Sequence, residues 1–476
     1  RRSSDLAADL QAGGSLVLNV EAAMGAEEEL RLWAEGKLAG ASLTGEKGGW
    51  RLGEVEGSLR AEFREGGGGL AKPEWEAQLK VGEAEAADVA GADYRLAGEE
   101  PVAIELTGRA DGSLVGAFEG LRVVGEKEGR HVELTGVGAE FSQRDGEWLA
   151  RGTGRWQENE LPFALRYASG GEAPGGRFEI PVADLREPVS QLGFFVEAAE
   201  GLSLSGSAGL WLDFSLGDEG GLALRAKLAE GKLVFPDEGP VLEGIEGGIW
   251  LPEVAAGATD FQALRAEKVS AFGLELEGAG LDYRLLAGGG VSLRKVGGRV
   301  LGGTFSADPF VLGKGGDFGT ILRLRAVDLA QLASLFPDFN GKISGRVDGK
   351  LPVARKDGKL KPGHGRMSLT PGRRARLAYD VDGALSGGMK AGSPQHEQMR
   401  LVEESLKKLD LERLTMNLFD PREEERALVI RLEGRAPTVK GSPPIILNVN
   451  GFKPDDDSLG FFDLLLRHRE RLNFGL

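Results

Sequence analysis

Histidines and clustered carboxylates are the side chains of this 476-residue chain best suited to metal binding or acid–base chemistry. The four histidines, His131, His364, His396 and His468, are far apart, and none has a second histidine at ligand spacing. The chain has no cysteine, so thiolate metal sites and disulfides are excluded. The acidic run at 455–457 lacks the spacing of a calcium-binding loop, which favours a solvated loop leading into a helix.

Sequence motifs that would position a catalytic group are absent. The chain has no glycine-rich phosphate loop, no dinucleotide fingerprint and no Gly-x-Ser-x-Gly elbow. Pairs of carboxylates for glycoside hydrolysis stay open, because such pairs form in space rather than in sequence. We therefore predict a protein that is not an enzyme and needs no cofactor.

The charge balance and the hydropathy restrict the classes of partner that the chain can bind. Lys and Arg number 58 against 74 Asp and Glu, a net charge of −16, which argues against nucleic acid as a partner. No run of about 18 apolar residues is present, so the sequence predicts no membrane-spanning helix. The chain starts at Arg1 rather than Met, and we expect a fragment or processed form whose anchor lies upstream.

The elements that must carry any function are strands. In "LSLSGSAGLWLDFSL" (202–216) every large side chain except Trp211 has an even number. A strand with this period has one apolar and one polar face. Similar alternation recurs along the chain, and the 75 glycines are dispersed as in short turns. The pattern predicts a mainly β protein built from antiparallel strands.

Three segments break the alternation and predict helices. One follows Asp328, the second covers 394–409 after an N-cap at Ser393, and the third covers about 458–471. Residues 184–206 resemble 328–345, since each runs from Asp-Leu through a short helix to a strand ending in Ser-Gly. We divide the chain into segments 1–183, 184–327 and 328–476.

The last third resembles the YdbH-type branch of the AsmA-like proteins. The resemblance is carried by "LAQLASLFPDFNGKISGRVDGKLPVARKDGKLKPGHGRMSLTPGRRARLAY" (329–379) and "VIRLEGRAPTVKGSPPIILNVNGF" (429–452). Matching positions are Gly345, Val347, Gly349, Leu351, Pro352, Val353, Gly363, Gly365, Pro371, Gly372, Tyr379, Leu432, Gly434, Gly441, Pro443, Leu447 and Asn448. The resemblance extends over about 290–466 and departs at Arg373-Arg374, which follow the Pro-Gly turn.

The resemblance implies a long antiparallel sheet that curls into an open hydrophobic groove for phospholipid. It implies a periplasmic protein of a Gram-negative-type envelope, held by an inner-membrane anchor outside this sequence. The expected groove residues are Leu202, Leu204, Leu210, Leu212, Phe214, Leu216, Leu222, Leu224, Leu228, Leu428, Ile430 and Leu432. A small outer-membrane lipoprotein is the expected partner at the C-terminal edge, Ile445, Leu447, Asn448, Val449 and Asn450.

Periodicity alone leaves two structures open for the apolar face. It packs against a second sheet, as in a sandwich, or it contacts acyl chains. The alternative functions are accordingly an extracellular or envelope β-repeat scaffold or adhesin without lipid cargo, and a glycan-active enzyme on a β-scaffold.

Overall fold

The structure is a computed structural model. It describes all residues except 1–9, 25–29, 46–49, 67–68, 71–72, 90–91, 97–99, 170–173, 195–199, 216–219, 237–238, 272–273, 336–338, 340, 357–358, 382, 384, 420–425, 441–443 and 453–476. The chain forms two compact units. Unit 1 comprises residues 1–236 and 248–255, and unit 2 comprises 237–247 and 256–476.

Unit 1 is built from strands. They are β1 (Leu10–Met24), β2 (Leu30–Gly45), β3 (Trp50–Gly66), β4 (Gly69–Leu70), β5 (Glu74–Val89), β6 (Ala92–Leu96), β7 (Val102–Gly108), β8 (Leu114–Lys127), β9 (Arg130–Arg144), β10 (Glu147–Trp156), β11 (Asn159–Ala168), β12 (Gly175–Val189), β13 (Ser203–Ser215) and β14 (Leu222–Val234). A single 3-10 turn, Gln191–Phe194, interrupts them within the described residues.

Unit 2 continues the pattern, and the boundary between the units falls inside β15. Its strands are β15 (Val241–Leu251), β16 (Gln262–Ala271), β17 (Leu274–Leu285), β18 (Val291–Val300), β19 (Gly303–Ala307), β20 (Phe310–Leu312), β21 (Phe318–Asp328), β22 (Gly341–Ser344), β23 (Arg346–Lys356), β24 (Lys359–Pro362), β25 (Gly365–Leu369), β26 (Ala375–Tyr379), β27 (Leu409–Leu418), β28 (Arg426–Arg435) and β29 (Ile445–Phe452). Pairings in both units are antiparallel, for example β13 with β14 and β27 with β28. The prediction of a mainly β, antiparallel protein is confirmed.

Two α-helices occur in the described part of unit 2, and both begin at the predicted caps. The Asp328 side chain accepts a hydrogen bond from the Ala330 N–H at the start of α1 (Leu329–Ala333). Ser393 caps α2 (Pro394–Leu406) in the same way. Helix α2 ends three residues earlier than the sequence predicted, because Leu409 already begins β27. The helix expected at 458–471 lies outside the described residues.

A packed core lies in unit 2. Its 18 buried residues are Val327, Leu329, Val347, Leu351, Val353, Met367, Ala375, Leu377, Val381, Leu406, Leu409, Leu411, Leu414, Met416, Leu418, Leu428, Leu432 and Ile445. Leu406 at the end of α2 and Leu409 at the start of β27 are both fully enclosed. Helix α2 therefore ends inside this core.

A buried carboxylate fastens α2 to the preceding turn. Glu403 Oε1 accepts hydrogen bonds from the backbone N–H groups of Leu385 and Ser386, each at 2.9 Å. Its Oε2 accepts from the Ser386 hydroxyl at 2.8 Å. Burial raises the pKa of Glu403, but the hydrogen bonds from Ser386 and Leu385, with the nearby His396, lower it overall. The group is thus held as an acceptor, in a structural role.

The similarity of 184–206 to 328–345 has a counterpart in the backbone. Gly206 and Gly345, which end the two Ser-Gly pairs, have φ of 120° and 132°. L-residues rarely adopt such angles, so glycine is required at both positions. Each also follows a short helix, Gln191–Phe194 or Leu329–Ala333. The three-segment division of the chain stays a prediction.

Candidate functional site: the apolar face of the sheet

Strand register in unit 1 places apolar residues side by side on one face. Residues directly paired between antiparallel strands lie on the same face, so pairs can be followed from strand to strand. Starting at Leu18, the pairs run through Gly36, Leu59, Ala77, Leu106, Gly116, Phe141, Ala150, Leu165, Phe178, Leu212 and Leu224. This central row crosses twelve strands without one polar residue.

Rows on either side of the central row share its character. On one side lie Leu16, Leu38, Gly57, Leu79, Ile104, Phe118, Ala139, Gly152 and Phe163. On the other lie Val20, Ala34, Ala61, Trp75, Gly108, Leu114, Gln143, Trp148, Tyr167, Gly176, Phe214 and Leu222. We call the first the inner row, the second the border row, and the three rows together the apolar face.

Large and small residues are neighbours on the apolar face. A methyl group at Gly116 would lie only 2.5 Å from Phe141 Cζ and 2.8 Å from Leu106 Cδ2. At Gly152 it would lie 2.8 Å from Phe163 Cζ. At these two positions an aromatic ring therefore lies close to the glycine.

The opposite face is polar. The residues next in sequence to those of the central row lie on this face. From strand to strand they pair in the order Lys37, Ser58, Gln78, Glu105, Ala117, Glu140, Arg151, Ala164, Glu179, Trp211 and Arg225. Ion pairs join strands there: Arg177 donates to both carboxylate oxygens of Asp213, at 2.5 and 3.0 Å. The hydrogen bond to Asp213 raises the pKa of Arg177. This polar face is the solvated side of the sheet.

Open depressions also occur on the polar face. One of about 820 Å³ is lined by Lys37 and Arg60 together with Glu35, Glu76 and Glu105. Opposite charges alternate there, and Arg60 is already paired with Glu35 at 3.0 Å. Such a surface suits water rather than an apolar ligand.

Burial distinguishes the two units. In unit 1 the large side chains of the apolar face are mostly half-buried, and Leu16 and Leu18 are 59 and 50 % exposed. The enclosed clusters in its described residues are small: Leu161, Ala183, Leu185 and Val189, and separately Ala92 and Val132. The buried members of the apolar face itself include the alanines Ala34, Ala61, Ala77 and Ala139. The described part of unit 2 instead has one cluster of 18 buried residues. The apolar face of unit 1 is therefore largely uncovered by protein of its own unit.

Of the nine sequence-predicted groove residues of unit 1, four lie in the rows of this face: Leu212, Phe214, Leu222 and Leu224. Leu212 pairs with Leu224, Phe214 with Leu222, and Leu228 with Ala208. Leu204 and Leu210 pair with Val189 and Ile180 on β12. Leu202 is half-buried just before β13, and Leu216 lies outside the described residues. Lipid contact by these side chains stays a prediction.

The predicted groove residues of unit 2 have a different environment. Leu428, Ile430 and Leu432 of β28 pair with Leu418, Met416 and Leu414. Leu428 and Leu432 are only 4 and 6 % exposed, inside the 18-residue core, and Ile430 packs against it. These three side chains pack in or against the core of unit 2.

Most residues of the apolar face were not predicted from the sequence. The predicted set omitted Phe141, Phe163, Leu165 and Phe178, although each belongs to an alternating segment. Alternation shows which residues of one strand share a side, but only pairing shows which side is continuous with the next strand. The missing information was register.

The C-terminal edge is formed by β29. Ile445 and Leu447 pair with Gly434 and Leu432 of β28, and Asn448 pairs with Arg431. Ile445 is buried, Leu447 packs against the core, and Asn448 is exposed. Among the described residues β29 pairs with β28, and the side of an edge strand away from its partner presents backbone N–H and C=O groups. Val449 and Asn450 are described in backbone only.

No chemistry-bearing cluster accompanies the face. Among the described residues, no three His, Asp or Glu side chains gather as metal ligands. His396 Nδ1 lies 3.9 Å from Glu397 and has no hydrogen-bond partner. His131 lies on β9 and His364 between β24 and β25, while His468 lies outside the described residues.

Residues 214–450 match the family model YdbH-like, described as intermembrane phospholipid transport protein YdbH. This segment, 237 of the 476 residues, is similar to the YdbH-like family. The YdbH-like segment covers β14 and nearly all of unit 2, and it begins at Phe214 of the apolar face. No curated protein and no solved structure gives a significant match to the chain. The family confirms the resemblance read from 329–379 and 429–452, and it is a lipid-transport family.

Within the described ranges, no helix is long and apolar enough to span a bilayer.

Proposed function

We propose that the chain carries phospholipid between two membranes of an envelope, with acyl chains lying on the apolar face of unit 1. The central row carries the proposal, because twelve strands that pair one after another contribute apolar side chains in register and leave them largely uncovered. At about 4.8 Å between strands, the row is about 50 Å long. That length suits a path along the sheet rather than a pocket for one molecule.

The energetics require no catalytic group. Each CH₂ group of an acyl chain exposed to water costs about 0.8 kcal/mol. A continuous apolar surface removes that cost at every point along the row. Since no hydrogen-bonding group interrupts the central row, no position on it holds the cargo specifically. Leu428 and Leu432, enclosed by protein, support the sheet in this proposal rather than contact lipid.

The polar face supports the same assignment. Its charged residues keep a long sheet in solution while the apolar face is occupied. The periplasmic location, the inner-membrane anchor and the groove as a conduit to the outer membrane belong to this proposal; the family description itself names intermembrane phospholipid transport.

The first test is the lipid that accompanies the protein. The full chain, purified without detergent, is expected to retain phospholipid that mass spectrometry detects at one or more molecules per chain. Lipid should be absent from a polar β-protein of equal mass purified in parallel. Lipid-free protein that still folds and stays monomeric would contradict the proposal and favour a scaffold.

We further propose that β29 is the edge at which an envelope partner docks. The partner of this proposal is a small outer-membrane lipoprotein that adds a strand to β29 through backbone hydrogen bonds. Ile445 and Leu447 face the core, so the exposed edge and Asn448 are the parts left for contact.

A photo-crosslinking residue at Asn448 tests this edge. In cells it is expected to capture one outer-membrane lipoprotein, whereas the same residue at Asn417, on interior strand β27, captures none. Equal capture at both positions, or none at Asn448, would remove the docking proposal and leave the lipid proposal untouched.

A further inference from the structure

The two borders of the apolar face in unit 1 differ in chemistry. In the central and inner rows the aromatic residues are all phenylalanines: Phe118, Phe141, Phe163 and Phe178. On this face the aromatic residues with polar ends lie at the borders: Trp75, Trp148 and Tyr167 at one, and Trp156 at the other. This distribution separates the positions where hydrocarbon alone is met from those where hydrocarbon meets water.

One border is open. Gln143 pairs with Trp148, and a single further pair, Arg144 with Glu147, separates them from the turn that joins β9 to β10. Trp148 is 36 % exposed and lies 6.4 Å from Phe141. Further along the border row, Tyr167 stacks on Phe214 at 6.3 Å. We call Trp75, Gln143, Trp148, Tyr167 and Phe214 the aromatic border.

The other border is closed. Val189, Ala183 and Leu185 of β12 are enclosed together with Leu161. Trp156 also packs there, and its indole N–H donates to Gln191 Oε1 at 2.9 Å in the 3-10 turn. The polar end of this tryptophan is therefore already bound within the protein.

Side-chain and backbone bonds seal this closed border further. The Asn159 amide donates to the Glu187 carbonyl at 2.9 Å and accepts from the Glu187 N–H at 3.0 Å, and Asn159 is 3 % exposed. Tyr94, which packs against the adjacent small cluster, is buried enough to raise its pKa. A charged headgroup has no solvated place here, since burying a charge without a partner is costly.

We infer that the apolar face orients its lipid: the headgroup and glycerol backbone lie at the aromatic border, and the acyl chains point toward the closed border. This inference rests on the proposed function and adds the direction of each cargo molecule on the face. Trp148, Tyr167 and Gln143 are positioning residues, because each offers an apolar body to the chain and a polar end to the ester region.

The dimensions fit this orientation. Half the hydrocarbon thickness of a bilayer, the depth that one acyl chain occupies, is about 15 Å. At about 3.4 Å per residue, five residues of strand cover that distance. An acyl chain that starts at Gln143 and runs along β9 lies over Phe141 and Ala139 and reaches Gly138. It ends well short of Val132 at the closed border.

Two phosphatidylethanolamine probes distinguish the ends of the lipid. One carries a diazirine on the headgroup amine, and the other carries it at the end of an acyl chain. After loading the full chain and irradiating it, we expect headgroup crosslinks around Gln143, Trp148 and Tyr167. Tail crosslinks are expected around Ala139, Phe163 and Leu161. Headgroup crosslinks that are as frequent at Trp156–Leu161 as at the aromatic border would overturn the inference.

A double variant tests the polar ends of the border side chains. Trp148→Phe with Tyr167→Phe keeps an aromatic ring at each position, although Trp148 loses the larger indole, and removes the N–H and O–H groups. Bound lipid is expected to change less than twofold, while the preference of headgroup crosslinks for the aromatic border falls at least threefold. Trp211→Phe, on the polar face, is the matched control. An unchanged preference in the double variant would overturn the positioning role, and crosslinks absent from the whole face with both probes would overturn the proposed function itself.

Discussion

Replacing Leu212 by aspartate is expected to reduce the phospholipid bound by the chain at least tenfold without unfolding it. Leu212 lies in the central row between Phe178 and Leu224 and is half-buried. Losing a leucine contact costs about 1.5–3 kcal/mol, and about 1.4 kcal/mol is a factor of ten in binding. The partial exposure of the position lets the new carboxylate reach water when lipid is absent. Bound lipid is measured by mass spectrometry, and folding by circular dichroism.

Leu149→Asp is the matched control for this substitution. Leu149 of β10 is 42 % exposed on the polar face, where it pairs with Ser142 and Arg166. It is expected to retain lipid at the wild-type level, since the new carboxylate lies opposite a guanidinium in solvent. Equal losses of lipid in the two variants would show that lipid binding does not depend on which face of the sheet carries the substitution. Unfolding of Leu212→Asp would show that Leu212 lies in a closed core.

Leu409→Ala is expected to destabilise unit 2 by about 2–5 kcal/mol. Leu409 is fully enclosed where α2 meets β27, so truncation leaves a cavity in the 18-residue core. Hydrogen exchange followed by mass spectrometry should show amides of β27 and β28 exchanging about 30-fold faster or more, since about 1.4 kcal/mol is a factor of ten.

The same truncation on the apolar face provides the comparison. Leu224 is half-buried in unit 1, and Leu224→Ala is expected to cost about 1 kcal/mol or less because no cavity forms. All seven tryptophans lie in unit 1, so its unfolding is followed by tryptophan fluorescence. Similar costs for the two variants would contradict the distinction between an open face in unit 1 and a packed core in unit 2.

The family match and the apolar face overlap only in part. The match begins at Phe214, whereas the central row begins at Leu18 and reaches Leu224 on β14. The match therefore covers the end of β13, β14 and unit 2 up to residue 450. Register connects the remaining strands of unit 1 to β13 and β14, and it is the physical reason for extending the lipid proposal to them.

Local patterns in the sequence determined the kind of structure. Alternation over 202–216 predicted a strand with one apolar side, and β13 covers 203–215. Asp328 and Ser393 predicted two helix starts, because a side-chain oxygen at an N-cap satisfies free N–H groups nearby. The end of α2 was predicted less well, since Leu409 continues the apolar period of the helix while β27 already pairs with β26.

Tertiary structure decided what the apolar residues do. Leu212 and Leu432 have the same side chain and similar strand patterns, yet Leu212 is half-buried and Leu432 is 6 % exposed. The difference comes from what packs above each strand, which is remote in sequence. Register likewise made Leu18 and Leu224 members of one row, and the closing of one border by β12 gave the face a direction. A period of two fixes which side chains share a side of one strand, whereas pairing and coverage arise between strands, and only the folded chain specifies them.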